Sequence, residues 1–149
     1  MDKKKLFNLV KKIFLLHKLS SNHATICANA LINAELVGAY GHGLSRLKMY
    51  CNRIKKKVIN PKPKIKIKKI SQSISHIDAN NSIGFVAADL AIKTAIKNAK
   101  KTGIGMVAVK NSGHYGLSGY YAEQAVKKNL ITMIYTNAPP AVAPHGALK

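Results

Sequence analysis

Residues 104–126 constrain this chain more than any other stretch, because a strand-like run passes there into a helix-like run across a glycine-framed turn. Ile104-Gly105-Met106-Val107-Ala108-Val109 is a short apolar segment that reads as a buried strand, and Leu117 to Val126 reads as a helix. Between them lies Asn111-Ser112-Gly113-His114-Tyr115-Gly116. A strand that feeds a helix belongs to a layered α/β arrangement, in which ligands commonly sit at the carboxyl ends of the strands. The imidazole of His114 is therefore expected at such an end, close to the N–H groups of a helix start.

A second framed histidine occurs in Gly41-His42-Gly43-Leu44-Ser45-Arg46. Histidine exchanges a proton near neutrality because its ordinary pKa is about 6.5. The planar fork of Arg46 suits two-point contact with a carboxylate. If His42 opens or precedes a helix, Arg46 lies one turn on and both can face one ligand. The flanking glycines let that ligand approach the backbone. Each residue also has a plain alternative: a histidine beside glycine is often a turn residue, and an arginine is often half of an ion pair. The chain has five carboxylates, Asp2, Glu35, Asp78, Asp89 and Glu123, and no two are close in sequence, which argues against paired-carboxylate hydrolysis and carboxylate-held metals. No Gly-x-Gly-x-x-Gly follows a strand, and no Gly-Lys-Ser/Thr phosphate loop occurs.

Elsewhere the pattern predicts helices over residues 3–18, from Ser20 or Ser21 to near Gly38, and over Leu44–Ile54. A Lys-rich connector with Pro61 and Pro63 follows, then an edge strand carrying Ile65, Ile67 and Ile70, then a strand over Ser73–Asp78. Asn80-Asn81-Ser82 is expected to turn and cap a long helix running from Phe85 to a stop at Gly103. A further strand is expected over Leu130–Tyr135. The fold class that results is α+β, with a helical lobe over residues 1–60 and a partial α/β layer over residues 61–149.

The net charge of +20 invites a nucleic-acid reading, but it comes almost wholly from lysine, and Arg46 and Arg53 are the only arginines. The lysines are spread along the chain beside abundant Asn and Ile, so composition explains the charge better than a polyanion partner does. No apolar run approaches the ~20 residues of a membrane span, and the basic start followed by Leu6-Phe7 reads as an amphipathic helix rather than a signal peptide. Cys27 and Cys51 give neither a disulfide framework nor metal-ligand spacing, so a reduced, cytoplasmic setting is expected.

Taken together, Ala34-Glu35-Leu36, the Gly41–Leu47 block, Tyr50, Asp78 to Gly84, Gly103-Ile104-Gly105, Val109 to Gly116, Tyr121-Ala122 and Asn137 to Gly146 resemble, in order, the malate/L-lactate dehydrogenase family. The Asn-Ser-x-His-aromatic-Gly element is the most specific part. The resemblance implies a non-Rossmann fold and a homodimer that moves a hydride between NAD or NADP and a small 2-hydroxy or 2-oxo acid such as malate or lactate. It implies acid/base and substrate-orienting roles for His114 and His42, with His114 the favoured proton acceptor, and a substrate-carboxylate contact for Arg46. Asn137, Ala138, Pro144 and Gly146 match a loop near the cofactor. The chain departs from the pattern at Gly41, where a serine is common, and at Ala138, His145 and Ala147. Family members continue well past residue 149, so an N-terminal portion is expected, either active or dependent on a partner chain; a Lys-rich nucleic-acid module is the lesser alternative.

Overall fold

A computed structural model describes residues 2–137. Two helices open the chain, α1 over Lys3–Leu16 and α2 over Ser21–Leu36. Each begins where a short polar side chain accepts a backbone N–H, Asp2 from Lys4 and Ser20 from His23. Apolar residues recurring every three or four positions turn Val10 and Phe14 of α1 onto Ala24, Cys27, Ala28 and Leu31 of α2. After Gly38, whose φ is +77°, two 3₁₀ turns at Tyr40–His42 and Leu44–Arg46 lead into α3, Leu47–Lys55. The single helix expected from Leu44 is thus a tight turn joined to an α-helix.

The strands follow. β1 is Lys66–Lys69, β2 Ile74–Ser82 and β3 Met106–Ser112, in the order β1-β2-β3. β1 pairs antiparallel with β2, and β2 pairs parallel with β3. A parallel pair needs a crossover, which α4 supplies over Gly84–Thr102. Ser75, Ile77 and Ala79 are the buried alternate positions of β2. α4 stops at Gly103, as the sequence predicts, because that residue takes a left-handed conformation with φ +79°. α5, Ser118–Val126, completes the described elements.

Three expectations are corrected. The strand expected to be buried over Ile104–Val109 forms as β3 but is exposed at six of its seven positions, with Ile104 before it 67% exposed, because no described element covers that side of it. Asn80-Asn81-Ser82 does not leave the sheet to cap α4: β2 runs through Ser82, and α4 has no side-chain cap. Asn80 and Asn81 instead take φ of +50° and +56°, which asparagine tolerates better than most residues, and the register with β3 shifts between Asp78 and Ser82. The kinked asparagines hold the connector, with Asn80 Oδ1 accepting Lys64 N–H at 3.0 Å and Asn81 O accepting Asn60 N–H at 2.8 Å. Residues 130–135 form no strand, since no described segment offers them a ladder of hydrogen bonds. Their alternation still registers in packing. Leu130 and Ile134 lie against Ile92, Tyr121 and Ala125, whereas Ile131 is 95% and Tyr135 85% exposed.

The main core crosses from the helices to the α/β layer: Val10, Phe14, Leu31, Tyr50 and Ile54 share it with Ile83, Phe85 and Val86. Among the described residues no helix is long and apolar enough to cross a membrane, and Cys27 and Cys51 are free and buried. Phe14 is fully enclosed where α1 meets α2. Phe14→Ala should cost about 3–5 kcal/mol, read as a lower denaturant midpoint in equilibrium unfolding; an unchanged midpoint would contradict this placement of the core.

Candidate active site

The site forms where α3 meets the turn after β3. Tyr50, fully buried on α3, packs its ring 4.7 Å from that of Phe85 at the start of α4. Its hydroxyl lies 2.6 Å from Nδ1 of His114. Gly116 N–H donates to the same nitrogen at 3.3 Å. A backbone N–H can only donate, so Nδ1 accepts and the neutral ring carries its proton on Nε2. Burial pushes the Tyr50 phenol far above its ordinary range, which keeps the hydroxyl protonated and able to donate.

Glycines make this closeness possible. A side chain on Gly84 would collide with the carbonyl oxygens of Gly113 and His114, so the start of α4 can touch the His114 turn only without one. Gly116 has φ +80°, and a Cβ there would stand 2.6 Å from the Phe85 ring. A side chain on Gly43 would displace the carboxylate of Glu35, whose Oε1 accepts the Leu44 N–H at 2.6 Å. That carboxylate ties the 3₁₀ turns to α2.

The turns bring His42 against His114. The two rings are stacked, with centroids 5.8 Å apart and planes inclined by 14°. His42 and Arg46 do not share a regular α-helix, contrary to the spacing argument; they end successive 3₁₀ turns. Arg46 is held instead by its Nε, which donates to Gly41 O at 2.7 Å. Its terminal guanidinium nitrogens remain available, and the residue is exposed.

His114 is exposed as a residue, but its Nδ1 edge is turned into the Tyr50 contact. Its pKa is lowered, first by desolvation of that edge and then by the positive charges of His42, Arg46 and Arg53. The neutral ring therefore dominates at neutral pH. Sequence reasoning missed two participants. Tyr50 was legible as an apolar helix position and as part of the resemblance, and Arg53 only as a cation; spacing alone does not show that the Tyr50 hydroxyl meets a residue 64 positions away or that the Arg53 charge is felt there. Asn137 is exposed, and among the described residues no hydrogen bond links it to the histidines. Ala138, Pro144 and Gly146, the other expected cofactor contacts, lie outside the described residues. No group of three or more metal-ligating side chains occurs among the described residues.

This arrangement, one protonatable ring stacked on a neutral one beside an arginine, sits in a chain that the malate/L-lactate dehydrogenase family model matches over residues 1–149. The chain belongs to that family. It is 41% identical to a malate dehydrogenase of Pyrococcus abyssi across 149 residues, all of this chain and 41% of that protein. It is 38% identical over 145 residues to an L-sulfolactate dehydrogenase of Methanocaldococcus jannaschii, covering 97% of this chain and 41% of the relative. The solved malate dehydrogenase of Pyrococcus horikoshii has the same α+β fold, with a TM-score of 0.83 at 37% identity over 86% of this chain and 37% of that one. The chain spans about two-fifths of the length of these curated relatives.

The lowered pKa of His114 fixes a sign. Between its folded value and 6.5 the unfolded chain binds more protons, so this group's contribution to stability is present above pH 6.5 and is lost as pH falls through the folded value. In a proton NMR titration the His114 Cε1–H signal should move with a midpoint below 6.5. His23, also lowered by burial, shares the window, so His114→Gln should reduce but not abolish the loss of stability there. A His114 midpoint above 6.5 would contradict the geometry.

Proposed function

We propose that this chain carries the acid-binding and proton-transfer part of an NAD(P)-dependent 2-hydroxy-acid dehydrogenase. The observation that carries the reading is the stacked His42–His114 pair, with Nδ1 of His114 engaged by Tyr50 and Gly116. Arg46 holds the substrate carboxylate through its free guanidinium nitrogens. The Nε2–H of His114 donates to the substrate C2 oxygen and fixes it.

On this reading His42, rather than the His114 favoured from sequence, exchanges the proton. His114 cannot take a proton on Nε2 while Nδ1 accepts from Gly116 and the ring is neutral. In oxidation the hydroxyl proton passes to His42, the C2–H bond breaks as a hydride leaves, and C2=O forms. In reduction His42 returns the proton to that oxygen. Bound NAD or NADP supplies the hydride acceptor or donor. The donor set fits that division of labour, since imidazoles and guanidinium move protons and hold anions but accept no hydride. Malate and sulfolactate, named in the two curated relatives described above, are the first substrates to test.

One observation favours a second reading, in which the chain acts only with a partner polypeptide. β3 is exposed at six of its seven positions, including Met106 at 57%, which leaves apolar sheet surface uncovered. The whole chain should therefore be assayed by NADH oxidation with oxaloacetate and sulfopyruvate, and by NMR for malate-induced shifts of His42 and His114. His42→Gln should lower turnover by about 10²–10⁴-fold, and Arg46→Gln should mainly raise KM. Acid binding without turnover would favour the partner-dependent reading; neither binding nor turnover would defeat the proposal.

A further inference from the structure

We infer that Arg53 forms a second anion subsite beside the stacked histidines, so that the site prefers 2-hydroxy acids bearing a second negative group. The inference rests on the function proposed above and adds the substrate's charge. Arg46, Tyr50 and Arg53 stand at i, i+4 and i+7 along the last 3₁₀ turn and α3, which places them on one face. Tyr50 reveals where that face points, because its hydroxyl is 2.6 Å from Nδ1 of His114. Arg53 is exposed, and among the described residues its side chain has neither a hydrogen bond nor an ion pair. Only its backbone carbonyl is engaged, by the N–H groups of Val58 and Ile59.

Nothing local competes for this guanidinium, since no Asp or Glu occurs between Glu35 and Asp78. Its charge is nonetheless felt at the site, where it helps disfavour a second positive charge on His114 and favours the anionic form of Tyr50. Seven residues of helix advance roughly 10 Å. Two guanidinium groups anchored that far apart on one face can hold both ends of a four-carbon diacid, with the reacting carbon nearer Arg46. A monoacid such as lactate would engage Arg46 and leave Arg53 unpaired. Arg46 is tethered through Nε to Gly41 O, so it orients the common carboxylate, and the untethered Arg53 adapts to the variable end.

The test is an NMR titration of the whole chain with (S)-malate and with (S)-lactate, following the His42 and His114 Cε1–H signals. The unmodified chain should bind malate more tightly. Arg53→Gln should shrink the malate-to-lactate affinity ratio by about tenfold or more, and Arg53→Lys should keep part of it. Arg46→Gln should weaken both acids. Circular dichroism of each variant checks that α3 persists; if Arg53→Gln unfolds, the Arg53→Lys ratio decides, a partial fall supporting the subsite and no fall opposing it. An unchanged ratio in a folded Arg53→Gln chain would overturn this inference and leave the proposed function standing. Failure of the unmodified chain to bind either acid would overturn both.

Discussion

The hydrogen bond between Tyr50 and Nδ1 of His114 is the contact on which the rest of the site depends. It joins α3, built from the helical first third of the chain, to the turn that follows β3. Its setting is apolar: Tyr50 is fully buried against Phe85, and Phe85 in turn occupies the space that a side chain on Gly116 would need. A phenol in that position cannot ionise readily and must find a partner for its hydroxyl. The imidazole supplies that partner, and in doing so has one nitrogen committed and the other left for solvent or ligand. Core packing thus decides a tautomer, and the tautomer decides which proton movements His114 can make.

Much of this was legible in the sequence where a local rule governs. The helix start at Ser20, the helix stops near the left-handed glycines at 38 and 103, and the strand-to-helix passage around His114 follow from backbone and side-chain chemistry within a few residues. His42, Arg46 and His114 were singled out from their glycine frames. What escaped was decided at long range. Asn80 and Asn81 look like a turn, yet they stay in β2 because Asn60 and Lys64, from the connector, bond to them. Residues 130–135 alternate like a strand, and their packing alternates too, but a strand also requires a neighbour. The face shared by Arg46, Tyr50 and Arg53 was open to a count of helical spacing; what the count could not supply was the partner that face meets.

The distribution of charge acquires a different meaning once the fold is known. As a bulk property, +20 points to any polyanion. The fold divides it. The lysines of β1 lie on a fully exposed strand in solvent, where each ion pair or its absence is worth little. Lys110 is offset by Asp78, Lys93 by Asp89 and Lys127 by Glu123. The two arginines, unlike the lysines, have fields that reach both Tyr50 and His114. A small acid approaching these rings would meet guanidinium groups rather than ammonium groups, and therefore planar forks that suit two-point contact with a carboxylate.

Positive charge around His114 and the uncommitted edge of His42 act together. A cationic neighbourhood lowers the proton affinity of His114, and that alone would weaken it as a base. The same neighbourhood favours an anion beside the rings, and an anion held there would offset the positive charge that His114 feels. His114 has Nδ1 engaged, so its free edge offers a hydrogen; His42 is exposed and among the described residues has no side-chain hydrogen bond, so its ring can change tautomer or charge without breaking a contact. On the proposed function, the ring free to change charge is the one that would exchange the proton, and the ring fixed by Tyr50 is the one that would hold the substrate oxygen.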